Sequence, residues 1–269
     1  MTPVALTIAG SDSSGGAGIQ ADLKTFAALE VYGASVVTAL TAQNTQGVSG
    51  IHDVPAQFIT KQIDAVFADL AVGAVKVGML SRVEAIEAVA DGLQRHKAQN
   101  IVLDPVMVAS SGDRLLAKNA VAVLTRVLMP RATIITPNLP EAAALLGQPV
   151  ASNEGELVRQ ARTLLDLGAK AVLIKGGHGT GRRSLDLLVV AGGGVTRLAA
   201  RRIATKNTHG TGCTLSSAIA AGLAKGQGLY EAVVAAKNYV TKAIAAADQL
   251  TVGHGHGPLH HFFRQWRET

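Results

Sequence analysis

The stretch Lys206-Asn207-Thr208-His209-Gly210-Thr211-Gly212-Cys213-Thr214 comes directly before an apolar run, Leu215 to Ala224, that contains no charge and no proline. This run predicts a buried helix that ends at Gly226. Gly210 and Gly212 allow the backbone to turn tightly and to approach a ligand closely. Such a loop presents backbone N–H groups and the positive end of a helix at one point. The stretch therefore predicts an anion site suited to a transferring phosphoryl group.

The only cysteine of the chain, Cys213, lies at the mouth of this helix. Because the positive end of a helix favours a thiolate, we expect the pKa of this thiol to lie below its free value of about 8.5. A single cysteine also excludes an internal disulfide, which fits a reducing compartment.

The composition limits the kinds of partner that the protein can have. Of its 269 residues 48% are hydrophobic, which is enough for a sizeable core. The formal charge is +6, but the densest basic spots, Arg182-Arg183 and Arg201-Arg202, have no aromatic neighbour, so nucleic acid is not the expected partner. Neither a signal peptide nor an apolar run of about 18 residues is visible. We expect a cytoplasmic protein that binds no membrane.

Short β-branched runs alternate with amphipathic stretches, and glycines separate them. The alternation predicts one α/β domain over residues 1–269, with a doubly wound, mostly parallel sheet and helices on both faces. Two runs around Gly192-Gly193-Gly194 predict a hairpin and thus a small antiparallel extension. The predicted strands are 4–9, 35–40, 74–78, 101–107, 133–136, 171–174, 185–190 and 195–200. The predicted helices are 19–29, 55–70 (with Phe58 and Ile63 on one buried side), 82–97, 153–167, 215–224 and 230–249, with another that begins after Thr136 and ends at Leu146.

Several polar residues follow the carboxyl ends of predicted strands, where open parallel sheets bind ligands. The run Gly10 to Gly18 has the spacing of neither a dinucleotide loop nor a Walker loop, so it is either a flexible turn or a substrate loop. Gln43 either caps a loop or pairs with a ligand edge that presents a donor beside an acceptor, which its carboxamide complements. Met79 either lines a pocket or fills the core.

A second group of candidates carries charge. Asp104 ends a predicted strand and is either a helix cap or part of a metal site. Glu141, with Asn138 before it, falls in a first helical turn, where the macrodipole favours an acid in any case. Lys175 ends a strand beside Gly176-Gly177 and can reach a nucleotide phosphate.

Three strings carry a resemblance to a known family. Gly210-Thr211-Gly212-Cys213 resembles the anion-hole motif of ribokinase-like kinases, in which a Gly-x-Gly is usually followed by Asp. The longer string Lys206 to Thr214, with Cys in that place, resembles the hydroxymethylpyrimidine/phosphomethylpyrimidine kinases of thiamine biosynthesis, and a branch of pyridoxal kinases is similar. Ala9 to Asp22 and Thr136-Pro137-Asn138-Leu139-Pro140-Glu141 resemble further motifs of this family. The resemblance extends from Val4 to about Phe262.

The resemblance implies a ribokinase-like fold and an ATP- and Mg²⁺-dependent kinase. Its expected substrate is 4-amino-5-hydroxymethyl-2-methylpyrimidine and then the monophosphate of that compound. Pyridoxal kinase and a non-catalytic nucleotide-binding module are the alternatives, and we expect a homodimer. The implied roles are anion binding and catalysis for Gly210, Thr211, Gly212 and Cys213; substrate binding for Gly10, Asp22, Gln43, Met79 and Val106; nucleotide binding for Lys175 and Thr208; and Mg²⁺ placement for Asp104, Asn138 and Glu141.

Three further features receive weaker assignments. Ser110-Ser111-Gly112-Asp113 is polar and could act as a flap, and His178 could shape the loop after Lys175. The tail histidines, His254, His256, His260 and His261, lie among glycines and a proline that offer no preformed metal geometry.

Overall fold

The structure, a computed structural model, describes residues 1–107, 118–177 and 181–266. Strands and helices alternate along most of the chain. The strands are β1 (Val4–Ala9), β2 (Tyr32–Val37), β3 (Ala39–Asn44), β4 (Gly47–Asp53), β5 (Ala74–Val77), β6 (Ile101–Leu103), β7 (Ile134–Ile135), β8 (Ala171–Ile174), β9 (Arg183–Val190) and β10 (Val195–Arg201). The helices are α1 (Gly18–Ala28), α2 (Ala56–Asp69), α3 (Val83–Arg95), α4 (Lys118–Val127), α5 (Leu139–Leu146), α6 (Glu154–Asp166), α7 (Thr211–Ala224) and α8 (Leu229–Ala245).

The main sheet has eight strands in the order β10-β9-β8-β7-β6-β5-β1-β2. The strands from β8 to β2 in this order pair in parallel, whereas β9 and β10 extend the sheet antiparallel. The predicted mostly parallel sheet with a small antiparallel extension is thus confirmed. The strand order reverses at β1, which lies between β2 and β5, so this edge of the sheet is the switch point at which ligands are expected.

The sheet separates two apolar cores because successive side chains of a strand point to opposite faces. In β1, Leu6 and Ile8 enter one core, together with residues of α2, α3, α4, α5 and α6. Ala5, from the same strand, enters the other core with residues of α1, α7 and α8. Helices therefore cover both faces, as predicted. No helix within 1–107, 118–177 and 181–266 is both long and apolar enough to cross a membrane.

The region after β2 differs from the prediction. The strand predicted over 35–40 is β2, which ends at Val37, and the predicted loop after it is the antiparallel hairpin of β3 and β4. This hairpin forms a separate two-stranded sheet. A pattern of mixed polar and small residues, such as Ala42 to Gly47, resembles a loop when a strand is exposed on one side.

Three other elements were predicted incorrectly or not at all. Phe58, predicted on the buried side of α2, is 56% exposed, whereas Ile63, predicted on the same side, is buried together with Ile59. The strand predicted over 101–107 ends at Leu103, just before Asp104-Pro105, and a proline cannot donate to a ladder. Helix α4 was not predicted. The proposed flap, Ser110 to Asp113, and His178 lie outside the described residues.

Candidate active site

The loops after β1 and β5 meet at the switch point. A Cβ atom on Gly10 would lie 3.0 Å from the Sδ atom of Met79. These two predicted pocket residues therefore lie side by side, and only a residue without a side chain fits at position 10 without displacing Met79. The Met79 carbonyl accepts a hydrogen bond from the hydroxyl of Thr38, which fixes the loop after β5.

The predicted anion loop is the first turn of α7. The helix starts at Thr211, four residues before the predicted start, and Gly210 is its N-cap with a φ of 84°. A Cβ atom at Gly210 would clash with the carbonyl oxygen of Gly16, so this position requires glycine for both conformation and space. No side chain of the described residues caps α7. The Thr211 amide donates to the Thr208 carbonyl at 3.3 Å, so within the described residues the amides of Gly212 and Cys213 are the ones left to bind an anion.

Cys213 lies in this first turn, but its thiol is not activated as predicted. Burial raises the pKa of Cys213 to about 11, and the carboxylates of Asp22 and Asp104 act in the same direction. The ammonium of Lys76 and the backbone N–H of Gly18 oppose this effect without overcoming it. The expectation of a lowered pKa is wrong because the loss of solvent outweighs the helix end.

Asp22 lies beneath the substrate loop, residues 10–18, rather than on the pocket surface. Its carboxylate is fully buried and pairs with the Nζ atom of Lys76 at 2.8 Å. The hydroxyls of Thr7 and Ser217 also donate to it, each at 2.6 Å. Because both oxygens of its carboxylate have these partners, Asp22 ties β1, β5 and α7 together. Contrary to the prediction, it does not line the pocket.

A charged cluster lies on the other side of the α7 start. The Nζ atom of Lys175 is 2.8 Å from Oδ1 of Asp104 and 3.8 Å from Oε2 of Glu141. A Cβ atom on Gly212 would lie 3.3 Å from that Nζ atom and 3.5 Å from Oδ2 of Asp104. Lys175, Asp104 and Glu141 thus lie beside the anion loop. The structure thus brings together three predicted residues that lie on separate loops.

The pKa values in this cluster follow from burial and mutual charge. Burial acts to raise the pKa of Asp104, but the ammonium groups of Lys175 and Lys76 hold it below its usual value. For Lys175, burial acts in the opposite sense, and the carboxylates of Asp104 and Glu141 raise its pKa above the usual value. Burial raises the pKa of Glu141, and the charge of Asp104 adds to this effect.

Asn138 and Glu141 form a capping box at the start of α5. The Asn138 side chain accepts from the Glu141 amide at 2.8 Å, and the Glu141 carboxylate accepts from the Asn138 amide at 2.7 Å. This arrangement explains why these residues begin a helix. It also holds the Glu141 carboxylate near Lys175.

The acidic residues of this cluster suit a hydrated metal ion. Among the described residues, no three His, Cys, Asp or Glu side chains form a complete metal cluster. Mg²⁺ takes few protein carboxylates and keeps several waters. The carboxylates of Asp104 and Glu141 and the side-chain carbonyl oxygen of Asn138 therefore fit Mg²⁺ better than they fit a zinc ion.

The remaining predicted residues have mixed environments. Gln43 lies on β3 and is half-buried, and its amide N–H donates to the Ser13 hydroxyl at 3.0 Å, which links the hairpin to the first loop. Val106 is half-buried two residues after Asp104, and Thr208 is exposed. The Thr208 carbonyl accepts from the Thr211 hydroxyl at 2.7 Å, so Thr208 supports the start of α7.

Two buried interactions at this site were not predicted. His209 binds Asp12 across the two loops, and Lys76 binds Asp22 below them. His209 and Asp12 lie within strings that had been noticed, but they are 197 residues apart, and no spacing in the sequence pairs them.

The fold and this arrangement of loops define a ribokinase-like kinase. A family model described as phosphomethylpyrimidine kinase matches residues 12–260, and the chain belongs to that family. The hydroxymethylpyrimidine/phosphomethylpyrimidine kinase of Rhizobium meliloti (strain 1021) is 59% identical over 268 residues, which cover 100% of both chains. The predicted family and kinase activity are thus confirmed.

Two solved structures agree with this assignment. A phosphomethylpyrimidine kinase from Clostridium difficile 630 is 46% identical, with a TM-score of 0.79, and the match covers 90% of this chain and 99% of that one. An ADP complex of Bacillus subtilis pyridoxal kinase is 37% identical, with a TM-score of 0.89 and coverage of 97% and 98%. The ADP in the second structure supports the predicted nucleotide binding.

Proposed function

We propose that this chain transfers the γ-phosphoryl group of ATP to the hydroxyl of 4-amino-5-hydroxymethyl-2-methylpyrimidine and then phosphorylates the resulting monophosphate. The observation that carries the proposal is the meeting of Lys175, Asp104 and Glu141 with the uncapped start of α7. The ammonium of Lys175 and the amides of Gly212 and Cys213 suit an anionic phosphoryl group, and the two carboxylates beside them suit a metal ion that accompanies it.

In the first transfer, the substrate hydroxyl oxygen forms a bond to the γ-phosphorus while the bond from that phosphorus to the bridging oxygen breaks, ADP leaves and the hydroxyl proton is released. In the second transfer, a phosphate oxygen of the monophosphate forms the new bond to the γ-phosphorus of another ATP, the same bridging bond breaks, and ADP leaves. The first amides of α7 stabilise the charge on the transferring group. With a pKa of about 11, the Cys213 thiol is protonated at neutral pH, so it acts by position rather than as a thiolate base.

Asp104, Glu141 and Asn138 would hold Mg²⁺ through its waters, and this ion would neutralise phosphate charge. Lys175, which pairs with Asp104 and Glu141 here, would contact a nucleotide phosphate. On the opposite side, Gly10, Met79 and Val106 would line the pyrimidine pocket, and Gln43 would pair with the pyrimidine edge. A homodimer, a cytoplasmic location and a single domain over residues 1–269 remain predictions.

Pyridoxal is the second candidate substrate, since the Bacillus subtilis pyridoxal kinase shares the fold at a TM-score of 0.89. A coupled ADP-release assay with hydroxymethylpyrimidine, its monophosphate and pyridoxal decides between them. We expect the highest kcat/KM for the two pyrimidines. A higher kcat/KM for pyridoxal, or no turnover of either pyrimidine, would contradict the proposal.

A further inference from the structure

We propose that His209 is a positioning residue for phosphoryl transfer, because its hydrogen bond to Asp12 holds the substrate loop (residues 10–18) against the start of α7. The inference rests on the proposed function, since it concerns the distance between the two substrates that this function brings together.

The bond joins two buried side chains from opposite ends of the chain. The Nε2 atom of His209 lies 2.8 Å from Oδ2 of Asp12. His209 is 6% exposed and Asp12 is 1% exposed. A hydrogen bond to a carboxylate in such surroundings is stronger than one between neutral groups, so it can fix the relative position of the two segments.

Asp12 also organises the substrate loop itself. Its Oδ2 atom accepts from the amides of Gly16 and Ala17 at 3.0 and 2.7 Å, and its Oδ1 atom accepts from the amide and hydroxyl of Ser14. Burial acts to raise the pKa of Asp12, but the hydrogen bonds, led by that of His209, hold it well below its usual range. The carboxylate is therefore charged at neutral pH, and it transmits the position of His209 to the whole turn.

The two loops are also in direct contact at this place. A Cβ atom on Gly16 would clash with the imidazole ring of His209, and one on Gly210 would clash with the Gly16 carbonyl. Because Gly16 belongs to the substrate loop and Gly210 to the anion loop, a shift of one loop displaces the other. Under the proposed function, the separation of these loops sets the distance between the substrate hydroxyl and the γ-phosphorus.

The backbone at His209 has its own anchor, independent of the imidazole. The His209 amide donates to the Gly257 carbonyl at 3.0 Å. Asp12 keeps its three backbone partners if the imidazole is removed. Loss of the side chain should therefore leave the fold intact and loosen only the connection between the loops, which distinguishes a positioning role from a purely structural one.

The test compares His209→Ala with His209→Gln, whose side-chain amide can still donate to Asp12. We expect kcat of His209→Ala to fall roughly 10- to 100-fold, since a misplacement of about 1 Å can reduce a rate about 10²-fold. KM for pyrimidine and ATP should stay close to wild type, and His209→Gln should recover most of kcat. The matched control is His260→Gln, which replaces another buried histidine, one that packs against the ring of Trp266. Its kcat at neutral pH should match that of the wild type.

Each outcome has a defined meaning. Wild-type kcat in a folded His209→Ala variant overturns the inference, as does a folded His209→Gln variant that is as slow as His209→Ala. If His209→Ala does not fold, as judged by its thermal melting, the kcat of His209→Gln decides alone. A kcat loss in His260→Gln equal to that in His209→Ala would show that the loss of any buried imidazole has this effect, and it would overturn the inference. An inactive wild-type enzyme contradicts the proposed function rather than the role of His209.

Discussion

The Nζ atom of Lys175 lies 2.8 Å from Oδ1 of Asp104 and 3.8 Å from Oε2 of a second carboxylate, that of Glu141. Two buried carboxylates thus share one ammonium group. Such a cluster has an excess of negative charge, which suits the approach of a metal ion accompanying the nucleotide. Burial raises the pKa of Glu141, Asp104 adds to this effect, and the ammonium of Lys175 opposes it.

The first prediction concerns Glu141→Gln. The substitution removes a carboxylate near the phosphate and metal, so kcat should fall about 10- to 100-fold, the loss typical when a group supporting a metal site is removed. KM for the pyrimidine should change little, because the proposed pyrimidine pocket lies on the other side of the anion loop. Steady-state kinetics at saturating Mg²⁺ measure both.

The matched control for this prediction is Glu156→Gln. Glu156 also lies in the first turn of a helix, α6, and its amide donates to Asn153 at 3.0 Å. Its carboxylate accepts from the amide and hydroxyl of Ser152 rather than from the N-cap amide, so it is a helix-start acid of similar position outside the candidate site. Equal kcat values for the two variants would reduce Glu141 to a capping residue.

The second prediction concerns Gln43→Leu. The loss of the carboxamide leaves the polar edge of the pyrimidine unpaired, and binding should weaken by about 1–3 kcal/mol. Titration calorimetry with the pyrimidine measures this loss, and Gln46→Leu, in the exposed turn of the same hairpin, is the control. Unchanged affinity in Gln43→Leu would remove Gln43 from the site.

The strand-end candidates were predictable because parallel strands present their carboxyl ends at one edge of a sheet. Asp104, Glu141 and Lys175 follow different elements, yet this rule brought them together correctly. The hairpin that carries Gln43 was missed, since its exposed strands lack the apolar pattern of the central sheet. The prediction of a lowered pKa for Cys213 was wrong for a different reason. The sequence indicates that a helix begins near this residue, but the burial of the thiol depends on how α1, β5 and α7 pack around it. The pairing of Asp12 with His209 is likewise a product of tertiary contact.

The third prediction concerns Cys213. Because burial raises the pKa of this thiol to about 11, alkylation by iodoacetamide should be slow near neutral pH and should accelerate as the pH rises toward that value. Bound pyrimidine should slow the reaction further.

Cys213→Ala should lose only about 10-fold in kcat, which is less than the loss of about 10²–10⁴-fold that is typical when a general base is removed. Cys213→Asp should retain activity. A loss of about 10⁴-fold in Cys213→Ala would instead indicate that the thiolate is the base.

The fourth prediction concerns acid stability and His261. This imidazole is 4% exposed, and burial, with the nearby charge of Lys24, lowers its pKa from 6.5 to about 4. The unfolded chain therefore binds a proton at higher pH than the folded chain does, so stability is lost as the pH falls from about 6.5 toward 4. Between about pH 7.5 and 4.5 this group alone should cost roughly 2–3 kcal/mol. Burial lowers the pKa of the neighbouring His260 as well, which adds a loss of the same sign.

Urea unfolding at both pH values, for the wild type and His261→Gln, isolates the contribution of His261. The variant should lose less stability on acidification than the wild type, and an equal loss in both proteins would show that His261 is not the group responsible.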